Sequence, residues 1–310
     1  MAKEPPEHNV CAIVVTYNPD TAVLGRLLAA TCPQVGSLVV VDNGSPEHVV
    51  SWLRAQAGAA SIVVIPLPAN LGVGAAHNRG IDWARQHGFS HVLLMDQDSI
   101  PMPGMVEKLL MAVSNLSQGG GKVAAGGPRC VDVRTSQEAP FIKFGFIRNQ
   151  HSYCAARADG ASIPADFLIS SGTLIPIAVI DDIGGMEERL FVDNIDMEWC
   201  FRAAGAGYQL YGVCDAVMTH HLGDDIVNLW FLGRRNYARH PPVRLYYMMR
   251  NRLLLYARSY TPGKWIFRDI FRLAGKLLLY GVLLPPRLEN GRMMLKGLWH
   301  GLTGRIGKYQ

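Results

Sequence analysis

Two carboxylates one residue apart follow an apolar segment of the sequence. Asp96 and Asp98 flank Gln97 directly after the run 91–95. At a strand end both side chains can lean toward one cation, and carboxylate oxygens suit Mg²⁺ or Mn²⁺. Such an ion can neutralise the charge of a departing diphosphate. The pair therefore predicts a metal site, although an exposed turn before a helix would use the same residues.

A histidine pair supplies a third candidate ligand. His220 and His221 follow the apolar segment 216–218. A ring nitrogen can complete the coordination of a metal ion, although a single histidine is more often structural. We therefore predict that the ion is bound by Asp96, Asp98 and His220.

Polar side chains suited to a nucleotide follow other apolar runs. Asp42 comes directly after 37–41, where its carboxylate can accept hydrogen bonds from a pyrimidine or a ribose. Glycines between residues 70 and 80 let the backbone approach a ligand that Asn and Arg side chains can contact, although such residues are equally typical of turns. The residues predicted to bind this nucleotide in the first part of the chain are Thr16, Tyr17, Asn18, Asp42, Asn43, Asn70, Gly72, Asn78, Arg79, Asp96 and Gln97.

The segment 191–202 contains candidate general bases. Asp196 and Glu198 stand beside bulky apolar residues, which raise the proton affinity of a carboxylate toward that of a usable base. A helix start also favours acids because of its dipole, and the two explanations are compatible. The molecule that gives up its proton to this base is the acceptor of the reaction. We predict that it lies near Ser171, Gly172, Asp193, Glu198 and Trp199.

The charge of the chain is unevenly distributed. The net charge is +5, but residues 226–310 contain 16 Lys and Arg against two acids. This basic region should meet phosphates or anionic lipid. Arg250 and Asn251 lie within this region. Because the guanidinium group of arginine matches two phosphate oxygens, we predict that both residues contact the nucleotide donor. Base-stacking aromatic platforms are not evident, so no nucleic-acid partner is expected.

The segment 264–284 has the pattern of a basic amphipathic helix. Arg268, Arg272 and Lys276 recur every four residues among apolar side chains. Such a helix can lie in the headgroup region of an anionic membrane. It could equally pack on the protein or form a homodimer interface.

Apolar runs and helical patterns alternate along the first 120 residues. Nearly continuous apolar strands separated by helices predict a parallel sheet buried on both faces, with ligands beyond the carboxyl ends of the strands. We expect a catalytic domain over 1–227, with a nucleotide-binding half at about 10–120 and an acceptor-binding half at about 121–227. A basic helical region would follow over 228–310.

The sequence also bears on the compartment. The first nine residues lack the apolar core of a signal peptide, and no apolar run reaches the length of a membrane span. We therefore expect a cytoplasmic protein, with peripheral contact to the inner face of the plasma membrane as an option. The six cysteines include no close pair, so we expect them to be reduced and buried.

Several of these motifs, in this order, resemble family 2 glycosyltransferases. They are the segments 12–18, 41–45, 70–72, 78–80, 96–98 and 193–200, and the resemblance covers about 10–255. Within the family, the segments 191–200, 220–224 and 246–251 are similar to those of bacterial rhamnosyltransferases. The resemblance implies a GT-A fold, an α/β Rossmann-like mixed central sheet flanked by helices, with a basic C-terminal helical region added.

The resemblance also implies a function. The expected reaction inverts the sugar while moving L-rhamnose from dTDP-β-L-rhamnose to a saccharide acceptor, lipid-linked, in cell-envelope polysaccharide synthesis. Asp42 would hold the nucleotide, Asp96 and Asp98 would bind Mg²⁺ or Mn²⁺, and Asp196 would be the catalytic base. Because Ile195 replaces a Glu of the family pattern, Asp193 and Glu198 stay alternatives for the base.

Three other interpretations stay open on the sequence alone. A family 2 enzyme with this pattern could use another donor, such as a UDP-hexose or UDP-galactofuranose. A nucleotidylyltransferase would need a Gly-rich loop with Arg and Lys after the first strand, whereas here the segment 16–19 follows it. A non-catalytic sugar- or lipid-binding scaffold would be expected to lack Asp98 or Asp196, and both are present.

Overall fold

The computed structural model describes residues 9–57, 62–132, 135–157, 160–220, 226–229, 235–238 and 240–310. His221 lies outside them, and for His220 only the backbone is described. The strands are β1 (Val10–Thr16), β2 (Ser37–Asp42), β3 (Ile62–Pro66), β4 (His91–Asp96), β5 (Ser99–Pro101), β6 (Val123–Asp132), β7 (Phe141–Lys143), β8 (Gln150–Ser152), β9 (Ser162–Ala165), β10 (Thr173–Pro176), β11 (Gln209–His220), β12 (Ile226–Leu229) and β13 (Arg235–Ala238).

The helices alternate with the strands in the first part of the chain and follow one another in the last. They are α1 (Thr21–Thr31), α2 (Glu47–Ala57), α3 (Val73–Gln86), α4 (Met105–Gln118), α5 (Ile177–Ile183), α6 (Ile195–Gly205), α7 (Pro242–Tyr256), α8 (Gly263–Leu278) and α9 (Arg287–Leu302).

A mixed sheet forms the centre of the protein. Its strand order is β3-β2-β1-β4-β10-β6-β11-β5, with β9 paired to β11. The strands β1 to β4 are parallel, whereas β10 runs antiparallel to both β4 and β6. The expected Rossmann-like mixed sheet is confirmed.

Burial explains why the first strands have no polar alternation. Every residue of β1 and β2 is buried, because helices cover both faces of the sheet. One apolar cluster contains Ile13 and Val39 together with Trp199, and the other contains Val14 and Val40 together with α4. The sheet edge at the carboxyl ends of β1, β2 and β4 is therefore left to polar residues.

The basic C-terminal region is helical from residue 242 onward. The helix α9 packs along α7 so closely that a side chain at Gly297 would overlap the carbonyl of Tyr246. The helix predicted over 264–284 ends at Leu278 and continues as a π-helical turn, Leu279–Leu283. Within the described residues, none of the helices has both the length and the apolarity that crossing a bilayer requires.

The expectation that all six cysteines are reduced is wrong for two of them. Cys154 and Cys214 form a disulfide with a Cα–Cα distance of 5.2 Å. Their separation of 60 residues hid the pair from spacing arguments. The thiols of Cys11, Cys32, Cys130 and Cys200 are free, and all but Cys32 are buried.

Close packing of α3 on β1 requires a glycine. A Cβ at Gly80 would overlap the side chain of Ile13. We expect Gly80→Ala to lower the free energy of unfolding by roughly 1–3 kcal/mol, because the helix must move away from the sheet. The matched control is Gly275→Ala in α8, where the added methyl group meets no atom.

That control should raise stability by about 0.5–1 kcal/mol, since alanine is the better helix former. Urea unfolding monitored by circular dichroism measures both changes. Equal stability changes for the two variants would contradict this account of the packing.

Candidate active site

A cleft of about 890 Å³ opens at the carboxyl ends of β1 and β4. One side is formed by the loops that follow the parallel strands, and the other by the segment after Leu190 together with α7 and the C-terminal tail. Its lining residues are Val15, Tyr17, Asn43, Asn70, Gly72, Val73, Asp96, Gln97, Asp98, Phe191, Val192, His240, Pro241, Val243, Arg244, Tyr247, Lys308 and Tyr309.

The predicted carboxylate pair lines this cleft. Asp96 is the last residue of β4, and Asp98 precedes β5. The Gln97 side chain accepts a hydrogen bond from the Tyr17 N–H at 2.8 Å, which ties the turn to the loop after β1. Ser171 accepts one from the Asp96 N–H at 3.1 Å and donates to the Ser99 hydroxyl. Neighbouring strands therefore hold the Asp96-Gln97-Asp98 turn in place.

The donor atoms at this turn fit a hard divalent cation. Asp96 and Asp98 both reach the cleft, and the backbone of His220 pairs with Ser99, the residue after Asp98. Among the described side chains, no group of three His, Cys, Asp or Glu that could bind a metal is present. Two carboxylates facing an open cleft leave coordination positions for diphosphate oxygens and water, as Mg²⁺ prefers.

The wall beside this turn is built around buried Asp42. Its carboxylate accepts hydrogen bonds from the Thr16 hydroxyl at 2.9 Å and the Ser45 N–H at 2.8 Å. Asn43 and Asn70 line the cleft, and their side chains accept hydrogen bonds from the backbone N–H groups of Leu71 and Gly72. Asp42 and Thr16, which were predicted to contact the nucleotide, are buried behind the residues that line the cleft.

The opposite wall depends on an unusual loop. Phe191, Asp193 and Asn194 have φ angles of 69°, 60° and 64°, in the left-handed region that non-glycine residues rarely adopt. The Phe191 carbonyl accepts a hydrogen bond from the Val73 N–H at 2.8 Å. A side chain at Gly72 would come within 2.5 Å of that carbonyl. This loop therefore touches the start of α3 and leads directly into α6.

Asp196 lies in the first turn of α6, half-buried. Burial, and then the negative charges of Asp96 and Asp193, raise the pKa of Asp196 to about 7. A hydrogen bond from the Met197 N–H at 2.8 Å opposes this rise without cancelling it. The predicted base is thus tuned to exchange a proton near neutral pH, within the electrostatic reach of Asp96.

Comparison with known proteins assigns the chain to a family. The model of "Glycosyl transferase family 2" matches residues 11–182. The chain belongs to this family. It is 31% identical over 264 residues to the dTDP-rhamnosyl transferase RfbF of Shigella flexneri, covering 84% of each chain.

A second relative and a solved structure agree with this assignment. The N-acetylglucosaminyl-diphospho-decaprenol L-rhamnosyltransferase of Mycobacterium tuberculosis is 26% identical over 232 residues, or 67% of this chain and 75% of its own. The crystal structure of GalNAc-T7 with UDP, GalNAc and Mn²⁺ superimposes with a TM-score of 0.61 at 12% identity, covering 95% of this chain and 56% of that one. The GT-A fold and glycosyltransferase activity are therefore assigned to this chain.

Arg250 and Asn251, which we expected to contact the donor, are not among the residues that line the cleft. Both are fully buried. The Arg250 guanidinium donates to the carbonyls of Leu190, at 2.7 Å, and Gly307. The Asn251 amide donates to the carbonyls of Leu190, Val192 and Asp193 at 2.6–3.1 Å. Their hydrogen bonds fix the loop and the tail, so direct contact with a donor diphosphate is not what the geometry favours.

Three residues expected on the acceptor side also have partners within the protein. Glu198 is buried, in an ion pair with Arg202 at 2.8 Å and a hydrogen bond from the Tyr260 hydroxyl. The Trp199 indole N–H donates to the Gly184 carbonyl at 3.1 Å. The Asp193 carboxylate pairs with Arg244 at 3.2 Å. Two of the three alternatives for the base, Asp193 and Glu198, are therefore held in ion pairs with arginines, whereas burial raises the pKa of Asp196 to about 7.

Other predicted residues lie around the cleft without lining it. The Asn78 amide exchanges hydrogen bonds with the backbone of Met186, which fastens α3 to the segment before the loop. Arg79 is exposed on α3, and the Asn18 N–H donates to the Ser45 hydroxyl. Gly172 has a φ of 78° and donates its N–H to the Leu94 carbonyl, beside Ser171.

The sequence-based predictions did not include the basic residues of the far wall. Arg244, His240 and Lys308 line the cleft together with the aromatic rings of Tyr247 and Tyr309. The Tyr309 N–H donates to the Tyr247 hydroxyl at 2.7 Å, which binds the tail to α7. The excess of basic residues after 226 was a signal for phosphate binding, but it could not show which of them reach the cleft.

The raised pKa of Asp196 has a consequence for stability. Between about pH 4 and pH 7 the folded chain retains a proton that the unfolded chain has released, so stability falls as the pH rises through this interval. We expect Asp196→Asn to raise the free energy of unfolding by roughly 2–4 kcal/mol above pH 7, with the gain vanishing below pH 4.

Thermal unfolding in chelator-containing buffers from pH 4 to pH 8 measures this gain. The matched control, Asp193→Asn, breaks the pair with Arg244 and removes only one smaller contribution to the Asp196 pKa, so it should not reproduce a gain of this size. A stability gain for Asp196→Asn that does not change with pH would rule out this assignment of the pKa.

Proposed function

We propose that this transferase moves L-rhamnose from dTDP-β-L-rhamnose to a saccharide acceptor with inversion at the anomeric carbon. The observation that carries the proposal is that Asp196 lies close enough to Asp96, a carboxylate of the cleft, for its pKa to be raised by that charge, in a chain similar to RfbF over 84% of its length. The turn suits a donor diphosphate, and Asp196 suits a reacting hydroxyl.

Asp196 acts as the general base. Its carboxylate removes the proton of the acceptor hydroxyl while that oxygen attacks the anomeric carbon from the side opposite the diphosphate. A new bond from this oxygen to the anomeric carbon replaces the bond to the diphosphate, so the configuration inverts without a covalent enzyme intermediate. The pKa of about 7 allows Asp196 to be unprotonated before the reaction and to hold the proton after it.

The two walls of the cleft would bind the diphosphate of the leaving group. Asp96 and Asp98, with His220 as a further candidate, would bind Mg²⁺ or Mn²⁺, which supplies positive charge to the departing dTDP. Arg244 and Lys308 reach the same cleft from the opposite wall and can contact phosphate oxygens directly. Asn43, Asn70 and Tyr17 line the cleft and would receive the nucleoside, while Asp42 accepts a hydrogen bond from Thr16 behind them.

The acceptor is proposed to be a lipid-linked saccharide of a cell-envelope polysaccharide. The support is the likeness to a transferase whose name gives N-acetylglucosaminyl-diphospho-decaprenol as its acceptor. An acceptor of this type would place the enzyme at the inner face of the plasma membrane.

A titration of nucleotide sugars tests the donor. We expect dTDP-rhamnose with Mg²⁺ or Mn²⁺ to raise the melting temperature, because a ligand that binds the folded state stabilises it. UDP-glucose, UDP-galactofuranose and GDP-mannose should have much weaker effects, and chelation should abolish the shift. A stronger response to a UDP-sugar would refute the rhamnose donor while keeping the transferase, and no response to any would favour a non-catalytic scaffold.

Two matched amide variants separate donor binding from chemistry. Asp98→Asn should lose the metal-dependent shift, because one ligand oxygen is replaced by an amide nitrogen. Asp196→Asn should keep it but lose transfer by roughly a thousandfold or more. Nearly full turnover in Asp196→Asn would exclude its role as the base.

Lys308 provides a test of the far wall. We expect Lys308→Ala to weaken dTDP binding roughly tenfold while leaving thymidine binding unchanged, since a charged hydrogen bond to phosphate is removed. Isothermal titration calorimetry measures both ligands. Arg305→Ala, an equal loss of charge in the same tail away from the lining residues, is the control.

If Lys308→Ala weakened the binding of dTDP and of thymidine equally, Lys308 would stabilise the position of the tail and would not contact the phosphates. The same conclusion would follow if Arg305→Ala had the same effect.

A further inference from the structure

An apolar surface that shares no residue with the lining of the cleft combines a hairpin with a helix. The turn between β7 and β8 exposes Phe146 by 67% and Ile147 by 96%. Nearby on α8, Phe267, Ile270 and Phe271 are each more than half exposed. Exposed apolar groups of this size, clustered and bordered by charge, mark interaction sites.

Arg268 joins the two parts into one surface. Its guanidinium donates to the Gly145 carbonyl at 3.5 Å and to the Asn149 side chain, both in the turn between β7 and β8. The inner face of α8 is anchored by Trp265, which is buried against Phe201. The hairpin tip therefore has a defined position beside the outer face of α8, and we call these elements together the hairpin–α8 surface.

A basic cavity of about 990 Å³ opens within the hairpin–α8 surface. Its lining contains the guanidinium groups of Arg148 and Arg268 and the imidazole of His151, with polar groups from Asn149 and Tyr153. None of the lining residues is acidic. Guanidinium groups without a competing carboxylate suit the oxygens of a phosphate.

The charge of α8 matches this cavity. Lys264, Arg268, Arg272 and Lys276 recur every four residues, and Asp269 is the acid of the helix. Asp269 is buried and neutralised by Arg252 at 3.2 Å, with a hydrogen bond from Tyr256. Lys264 is paired with Asp166 at 3.3 Å, so the cations that flank the exposed apolar side chains of α8 are Arg268 and Arg272.

We propose that the hairpin–α8 surface docks on an anionic phospholipid bilayer, with Ile147, Phe267 and Phe271 entering the interface and a lipid phosphate occupying the basic cavity. Apolar area and attraction to anionic headgroups together set such binding. A second copy of the chain fits less well, because a symmetric dimer would bring the same cations against one another.

Vesicle co-sedimentation of the full chain, without donor or acceptor, tests the proposal independently of the transfer reaction. We expect binding to vesicles of phosphatidylcholine with phosphatidylglycerol to be roughly tenfold or more tighter than to phosphatidylcholine alone, and to weaken with salt. The variants Phe267→Ser/Phe271→Ser and Ile147→Ser should each reduce this binding several-fold. Arg148→Glu should reduce it about tenfold by reversing one charge of the cavity.

Matched controls lie on α4, which packs on the opposite face of the sheet. Met111 is 56% exposed and Lys108 is exposed on this helix. Met111→Ser and Lys108→Glu remove comparable apolar area and charge, and both should bind vesicles as the unchanged protein does.

Three outcomes would overturn the proposal. The first is equal binding to neutral and anionic vesicles, or binding to neither. The second is a control variant that binds as weakly as the hairpin–α8 variants. The third is a dimer in sedimentation equilibrium that Phe267→Ser/Phe271→Ser converts to a monomer without any change in vesicle binding, because the surface would then join two copies.

Discussion

The hydrogen bonds from Arg250 and Asn251 to the backbone of residues 190–193 hold the catalytic arrangement together. They stabilise a loop in which Phe191, Asp193 and Asn194 adopt left-handed conformations, each costing about 1 kcal/mol or more. The same loop accepts a hydrogen bond from the Val73 N–H at the start of α3. It then leads into α6, the helix that bears Asp196, the proposed base. Three segments far apart in sequence therefore meet at one set of carbonyls.

The positions of the strand ends could be predicted from sequence because they depend on local pattern. Uninterrupted apolar runs predict strands buried on both faces, and parallel strands bring their carboxyl ends to one edge. This pattern predicts that Tyr17, Asn43 and Asn70 lie near Asp96 and Asp98, and all five residues line the cleft. The apolar neighbours of Asp196 likewise predicted the direction of its pKa shift.

The remaining features depend on partners distant in the chain. Nothing around Arg250 reveals that the Leu190 carbonyl, 60 residues away, takes its hydrogen bond. The Cys154–Cys214 pair and the arrival of Lys308 at the cleft are equally non-local. A polar residue type can be recognised from sequence, but whether it faces a ligand or the backbone of another segment is decided by packing.

If Asp196 is the base that we propose, its half-buried carboxyl group makes function and folding compete for one position. Natural proteins tolerate such a residue because selection acts on the reaction and requires only sufficient stability. Laboratory selection for heat resistance acts differently. A library of variants ranked by melting temperature alone would place proteins that have lost this carboxylate among its best members, so a screen of this transferase needs turnover as a second criterion.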